Sequence, residues 1–139
     1  MPGTLNVGVI GCGNISSAYF RLSKLFQAIE VKACADLNAE IAQAQAEQFG
    51  LEALSVEDLI SHSELDIVVN LTVPNAHFAV SKAILEAGKH VYSEKPLTLS
   101  LEDGLALRDL AEQKGLRVAC TPDTFLGGTH QQALSLIHI

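Results

Sequence analysis

The chain has 139 residues, 48% of them apolar and 18% charged, with a formal net charge of −7. That length is enough for one domain with a real core, the composition is too apolar for a disordered segment, and the acidic balance excludes a nucleic-acid partner because no basic cluster could neutralise phosphates. The N-terminal "MPGTLNVGVIGCG" lacks a signal peptide's charged start and long apolar run, and no apolar stretch reaches the roughly 20 residues that span a bilayer, so a cytoplasmic protein with no membrane partner is expected.

"LNVGVIG" (5–11) is a short apolar run ending in glycine and reads as a buried strand. "ISSAYFRLSKLFQAIE" places Ile15, Tyr19, Leu22, Phe26 and Ile29 at steps of four and three, one face of a helix. "VKACAD" (31–36) is a second strand, and "NAEIAQAQAEQFG" a helix stopped at Gly50. "SVED" (55–58) has the Ser-x-x-acid form of a helix start. "DIVVNLT" (66–72) is a third strand, and "NAHFAVSKAILEAG" a helix with Asn75 as its N-cap and Gly88 as its stop. "KHVYSEK" is a fourth strand. "SLEDGLALRDLAEQKG" is a helix capped by Ser100 with Asp103 and ended by Gly115, and "LRVACTP" is a fifth strand. Strands alternate with helices throughout, and their two-sided apolar character means helices on both faces. The expectation is an α/β fold with a doubly wound parallel sheet, a Rossmann arrangement. Cys12, Cys34 and Cys120 are odd in number and widely spaced, and the five histidines are scattered; buried free thiols and no metal site are expected.

The first strand runs into "GCGNIS", which puts Gly11, Gly13 and Ser16 at G-x-G-x-x-G/A positions. Gly11 allows the tight turn, Gly13 lets a pyrophosphate approach the backbone, and the third residue must be small for the helix to pack on the strand. Serine departs from the usual glycine or alanine there but is small. The N–H groups of Asn14 and Ile15 at the helix start suit an anion. The second strand ends at Asp36, 25 residues after Gly11. An acid there can take both hydroxyls of an adenosine ribose and would repel a 2′-phosphate. Leu37 and Asn38 follow, with no arginine, so NAD is expected in preference to NADP. The plain alternative is that Asp36 only caps the next helix.

Together with "GVIGCGNIS", the stretches "TVPNAHF" and "SEKP" resemble the Gfo/Idh/MocA oxidoreductase family over roughly residues 5 to 125. The resemblance implies that Lys95 of Glu94-Lys95-Pro96 reaches the place where nicotinamide and a substrate hydroxyl meet, as the catalytic residue, with a bond before Pro96 that is often cis. It also implies that Thr72, Pro74, Asn75 and His77 line the cofactor groove, although the plain reading of His77 is a structural histidine. The physics is consistent with this. Ligands of open α/β sheets bind beyond the carboxyl ends of the strands, so Thr72, Glu94, Lys95 and Thr121 should share one rim with Gly11 and Asp36. There a lysine can stabilise the alkoxide that forms as hydride leaves.

The resemblance further implies a second domain, an open antiparallel sheet supplying the substrate pocket and a catalytic histidine, in proteins well over twice this length. We read residues 1–120 as the NAD(P)-binding domain and 121–133 as the start of the connection to that absent substrate domain, so His130 is not the catalytic histidine. The closing "LSLIHI" back-translates to the start of a common transposon-end sequencing adapter, and we read residues 134–139 as a non-native tail. An apolar sheet edge or face would then be left exposed. The reading is a domain of an NAD(P)-dependent oxidoreductase acting on a secondary alcohol of a sugar or polyol, inactive alone and homo-oligomeric when whole. The alternatives are a non-catalytic NAD-binding sensor and a methyltransferase using S-adenosylmethionine, against which Glu-Lys-Pro speaks.

Overall fold

A computed structural model of the chain describes residues 3–122 and 127–137. Six strands form one sheet: β1 (Leu5–Ile10), β2 (Ile29–Ala35), β3 (Glu52–Leu54), β4 (Ile67–Asn70), β5 (His90–Ser93) and β6 (Val118–Cys120). All pairs are parallel, in the order β3-β2-β1-β4-β5-β6. The helices are α1 (Ser16–Leu22), α2 (Ala39–Phe49), α3 (Val56–Ser61), α4 (Pro74–Glu86), α5 (Leu101–Lys114) and α6 (Gly128–Leu136). This is the doubly wound α/β sheet that the alternation of strands and helices implied.

The helix boundaries follow side-chain chemistry. Asn38, Ser55 and Ser100 each accept a hydrogen bond from an N–H of the first turn they precede, and Gly50 and Gly115 end their helices in the left-handed conformation. Two strand assignments differ from expectation. The helix read over 15–30 is α1 followed by a 3-10 turn, Ser23–Leu25, and Ile29 lies in β2 opposite Leu5. Helical spacing there was incidental, because pairing with β1 outweighs helix propensity at a β-branched residue. The short edge strand β3 was not expected: three residues carry too little periodicity to separate from a loop.

The core has two layers. On one face Val7, Val9, Cys34 and Val69 of the sheet pack with Phe20 of α1 and Ala42 and Ala46 of α2. On the other, Ile10, Ala33, Val68 and Val91 pack with Leu59 of α3, Ile84 and Leu85 of α4, and Leu107 of α5. The first face is covered only in part. Where α1 stops, an apolar groove of about 470 Å³ opens over β1, β4 and β5, with Leu22, Phe26, Ile67, Val69 and Tyr92 among its walls. Phe26 is 61% exposed and Tyr92 40%. Residues 134–137 of the closing tail are helical or adjoin α6 and are exposed; His138 and Ile139 lie outside the described residues.

Candidate functional site

The sheet's hydrogen bonding runs one step past the strands and so builds a continuous rim. The Gly11 N–H donates to Ala35 O, Leu71 N–H to Ile10 O and Glu94 N–H to Asn70 O, each at 2.8 Å, and Thr121 N–H to Ser93 O at 3.1 Å. Gly11, Asp36, Thr72, Glu94, Lys95 and Thr121 therefore lie along one edge, as the parallel topology requires.

At one part of this rim is the glycine turn. Gly11 has φ +101°, and a Cβ there would stand 2.6 Å from Leu71 O, so the turn and the approach of β4 both demand glycine. Gly13 is different: a Cβ would meet no protein atom within 4 Å, so the side-chain position is open. Ser16 is fully buried and its hydroxyl donates to Gly13 O at 2.6 Å, which is why a small residue is needed at that step. The N–H groups of Asn14 and Ile15 have no hydrogen-bond partner among the described residues.

Asp36 does not cap α2; Asn38 does. The Asp36 carboxylate instead accepts the Cys12 N–H at 2.8 Å on one oxygen and the Asn38 N–H at 2.9 Å on the other. It thereby ties the glycine turn to the end of β2, and each oxygen keeps a lone pair free to accept a further hydroxyl. A cleft of about 290 Å³ opens beside these groups, between Gly11, Gly13, Asp36, Leu37, Val56 and Val73. Apolar walls, a carboxylate at the edge and a cradle that a Cβ at residue 13 would fill suit the adenosine and pyrophosphate of a dinucleotide.

The next part of the rim is held from beneath. Asn70, fully buried at the end of β4, donates to His77 O (3.1 Å) and Ser81 Oγ (3.0 Å) and accepts from the Thr72 N–H (3.2 Å) and hydroxyl (2.7 Å). His77 is 1% exposed. Its Nδ1 meets Pro96 O at 2.6 Å and its Nε2 meets Thr72 O at 2.8 Å. Carbonyl oxygens only accept, so a ring nitrogen that bonds here must carry its proton. His77 thus clamps the Thr-Val-Pro turn to the Glu-Lys-Pro turn, and its ring does not line the groove. The Thr72 hydroxyl is likewise committed to Asn70. Asn75 is exposed within the first turn of α4; the N-cap position belongs to Val73, with Pro74 as first helical residue and no side-chain cap. The helix start shifted because Pro74 has no N–H to satisfy. Sequence reasoning missed Asn70, although an asparagine inside an apolar strand signals a buried polar group that must find partners.

The third part is Glu94-Lys95-Pro96, where the Lys95–Pro96 bond is cis. One Glu94 oxygen accepts the Tyr19 hydroxyl at 3.2 Å, and the other accepts the backbone N–H of Lys95 at 2.9 Å. Lys95 itself is exposed, and its ammonium forms no ion pair among the described residues. Burial and the Glu94 carboxylate push the Tyr19 phenol up to about 12, against an opposing effect of the Thr121 hydroxyl. That hydroxyl is buried and no described group meets it in hydrogen-bonding geometry.

The three cysteines are free thiols; Cys12 and Cys34 are buried, Cys120 only half-buried. The neighbouring Cys34, then burial, push the Cys12 thiol up, so the thiol beside the glycine turn is a packing group and not a nucleophile. Among the described residues no three His, Cys, Asp or Glu side chains come together as a metal site, and no helix is long and apolar enough to cross a membrane.

Residues 5–121 match the family model described as "Oxidoreductase family, NAD-binding Rossmann fold". Inositol 2-dehydrogenase of Salmonella typhimurium is 32% identical over 119 residues, which are 83% of this chain and 35% of that protein. The dTDP-3,4-didehydro-2,6-dideoxy-alpha-D-glucose 3-reductase of Streptomyces violaceoruber is 39% identical over 120 residues, 83% of this chain and 34% of that protein. Among solved structures, biliverdin reductase from Synechocystis sp. PCC 6803, in complex with biliverdin and NADP+, superposes with a TM-score of 0.87 at 30% identity, covering 96% of this chain and 43% of that one. The chain spans about a third of the length of the curated relatives it matches. It belongs to the Gfo/Idh/MocA oxidoreductase family and is the NAD(P)-binding Rossmann domain of that family's fold.

Proposed function

We propose that this member of the Gfo/Idh/MocA family is the cofactor-binding domain of an enzyme that moves hydride between a nicotinamide dinucleotide and a secondary alcohol of a sugar- or cyclitol-like substrate. The observation that carries the reading is Gly13, a glycine whose missing side chain leaves space the protein itself does not fill, on the rim that also holds Asp36 and Lys95. Gly11, Gly13 and the N–H groups of Asn14 and Ile15 would hold the pyrophosphate. Asp36 would take the adenosine ribose and disfavour a 2′-phosphate, which supports NAD over NADP. Glu94, Lys95 and Pro96 form the turn at the nicotinamide end.

When bound, the nicotinamide supplies the hydride acceptor. Lys95, unpaired on the rim, hydrogen-bonds the substrate oxygen and stabilises the negative charge that grows on it. Its ammonium is placed by a backbone that Glu94 and His77 fix from two sides. Thr72 contributes through its backbone, since its hydroxyl is already used. The base is assigned to a second domain of the whole protein. The whole protein is read as a cytoplasmic homo-oligomer, and residues 134–139 as a non-native tail, which re-reading the source DNA past codon 133 tests. The inositol and deoxysugar activities of the relatives support the substrate class.

Titration with NADH, followed by its fluorescence, tests the cradle. The native chain is expected to saturate. Gly13→Ala is expected to melt within about 2 °C of it, because the new Cβ meets no protein atom, while binding at least about tenfold more weakly, a change of about 1.4 kcal/mol. An unchanged affinity in Gly13→Ala would place the pyrophosphate elsewhere and remove the reading.

A further inference from the structure

We propose that Tyr19 is a positioning residue that keeps Glu94 from pairing with Lys95 and so leaves the Lys95 ammonium free. The inference rests on the reading of Lys95 given above only for its use, not for its geometry. Glu94 and Lys95 are adjacent in sequence, opposite in charge and on the same exposed turn, yet they form no ion pair. The Glu94 carboxylate is spent in another way. Oε1 accepts the Tyr19 hydroxyl at 3.2 Å, and Oε2 accepts the N–H of Lys95 at 2.9 Å. The carboxylate therefore grips the lysine's backbone and ignores its ammonium. Its main chain is also held, with Glu94 N–H on Asn70 O at 2.8 Å and the Cys120 thiol on Glu94 O at 3.7 Å.

Tyr19 can do this because of where α1 begins. The helix starts at Ser16, the third residue of the glycine turn, and Tyr19 is one turn further along. Its ring packs at the end of the apolar groove while the phenol reaches a residue 75 positions away in sequence. The helix that follows the pyrophosphate turn thus sets the charge state of the turn at the other end of the rim. Without the phenol, Oε1 has no described partner, and a rotation about the Glu94 side chain can bring the carboxylate to the cation adjacent in sequence, Lys95. An ammonium neutralised in that way no longer stabilises a developing negative charge on a substrate oxygen.

The test is the rate at which Lys95 is acylated by a water-soluble amine reagent at mildly alkaline pH, read by peptide mass mapping on the full chain, with exposed Lys24 as internal reference. Only the free amine reacts, and a carboxylate partner holds the amine protonated. Tyr19→Phe keeps the ring in the groove and is expected to slow Lys95 labelling about threefold or more relative to Lys24, as a new ion pair implies. Tyr19→Phe combined with Glu94→Gln is expected to restore the native rate. Mere loosening of the turn would speed labelling, not slow it. An unchanged or faster Lys95 rate in Tyr19→Phe overturns the proposal, and so does a slow rate that Glu94→Gln fails to restore. Repeating the native measurement with NADH separates the two readings: lack of protection of Lys95 refutes its place beside the cofactor and leaves the relation between Tyr19 and Glu94 intact.

Discussion

Replacing His77 by leucine tests whether the two turns of the rim are held together by hydrogen bonds or only by packing. Leucine is close to histidine in volume, so the change removes the ring's polar contacts with two carbonyls, to one of which a singly protonated imidazole donates, without opening a large cavity. The carbonyls left behind are Thr72 O and Pro96 O, now met by methyl groups in place of ring nitrogens at 2.8 and 2.6 Å. A buried carbonyl that loses its partner costs about 1–3 kcal/mol. Pro96 is exposed as a residue, so water can reach its carbonyl and the lower value applies there; Thr72 is half-buried and lies nearer the middle of the range. With one ring proton only one of the two bonds is made, so the loss is about 1–2 kcal/mol, a sizeable fraction of the 5–15 kcal/mol that holds an ordinary domain together. With a urea slope of about 2 kcal/mol per molar, the unfolding midpoint should fall by about 0.5–1 M at constant slope. Circular dichroism in a urea series measures it. His77→Gln, which keeps a donor on one arm, is expected to lie between. A midpoint within about 0.3 M of the native value would show that the imidazole is only filling space, and the clamp would have to be abandoned.

Other perturbations follow from the same geometry. Gly11→Ala, whose Cβ would lie 2.6 Å from Leu71 O at a positive φ, is expected to yield little soluble protein, in contrast to Gly13→Ala; comparable yields of the two would contradict the turn described. Asp36→Ala is expected to weaken NADH binding about tenfold and NADPH binding much less, as competition titrations would reveal; equal losses would remove the ribose assignment. The Tyr19 phenol, raised to about 12 from 10, stabilises the fold fully below pH 10, and that contribution disappears as pH climbs through 12. Allowing for its partial exposure this is about 1 kcal/mol. Lys89, whose ammonium is lowered by burial, acts with the opposite sign in the alkaline range. The comparison is therefore the difference between native and Tyr19→Phe melting from pH 9 to 12, in which Lys89 cancels; a flat difference would refute it.

What the sequence made legible was local or periodic. Ser55, Ser100, Gly50 and Gly115 mark helix ends by their own chemistry, and all four stand where expected. The rim could be anticipated because parallel strands all end on the same side, so Asp36, Glu94 and Thr121 needed no further information to be brought into line. What stayed hidden depended on contacts across the fold. Ile29 continues a helical stripe yet belongs to a strand, since only the partner Leu5 decides the matter. His77 sits in a motif that points toward a groove, yet its ring turns inward because two carbonyls from turns 24 residues apart, at Thr72 and Pro96, converge on it. Tyr19 looked like one more apolar position on a helix; its hydroxyl matters only once Glu94 is beside it.

The topology that makes the crevice also explains the open groove. Connections between parallel strands are right-handed, so helices that follow a step in one direction along the sheet lie on one face and those that follow the reverse step lie on the other. From β1 the chain steps toward β2 and β3, and α1 and α2 fall on one face; from β4 it steps toward β5 and β6, and α4 and α5 fall on the other. The reversal between β1 and β4 parts the loops above and gives the cleft beside Gly13. It equally leaves each face half-covered. On the second face α3 fills the vacancy, with Leu59 fully buried against Ile10 and Ala33. On the first face nothing among the described residues does, and Leu22, Phe26 and Tyr92 face solvent across a groove of about 470 Å³. Parallel sheets persist with both faces covered. The switch point that provides a place for the cofactor therefore also imposes a need for cover over β4 and β5, and Tyr19 stands where the two meet, its ring in the groove and its hydroxyl on the rim.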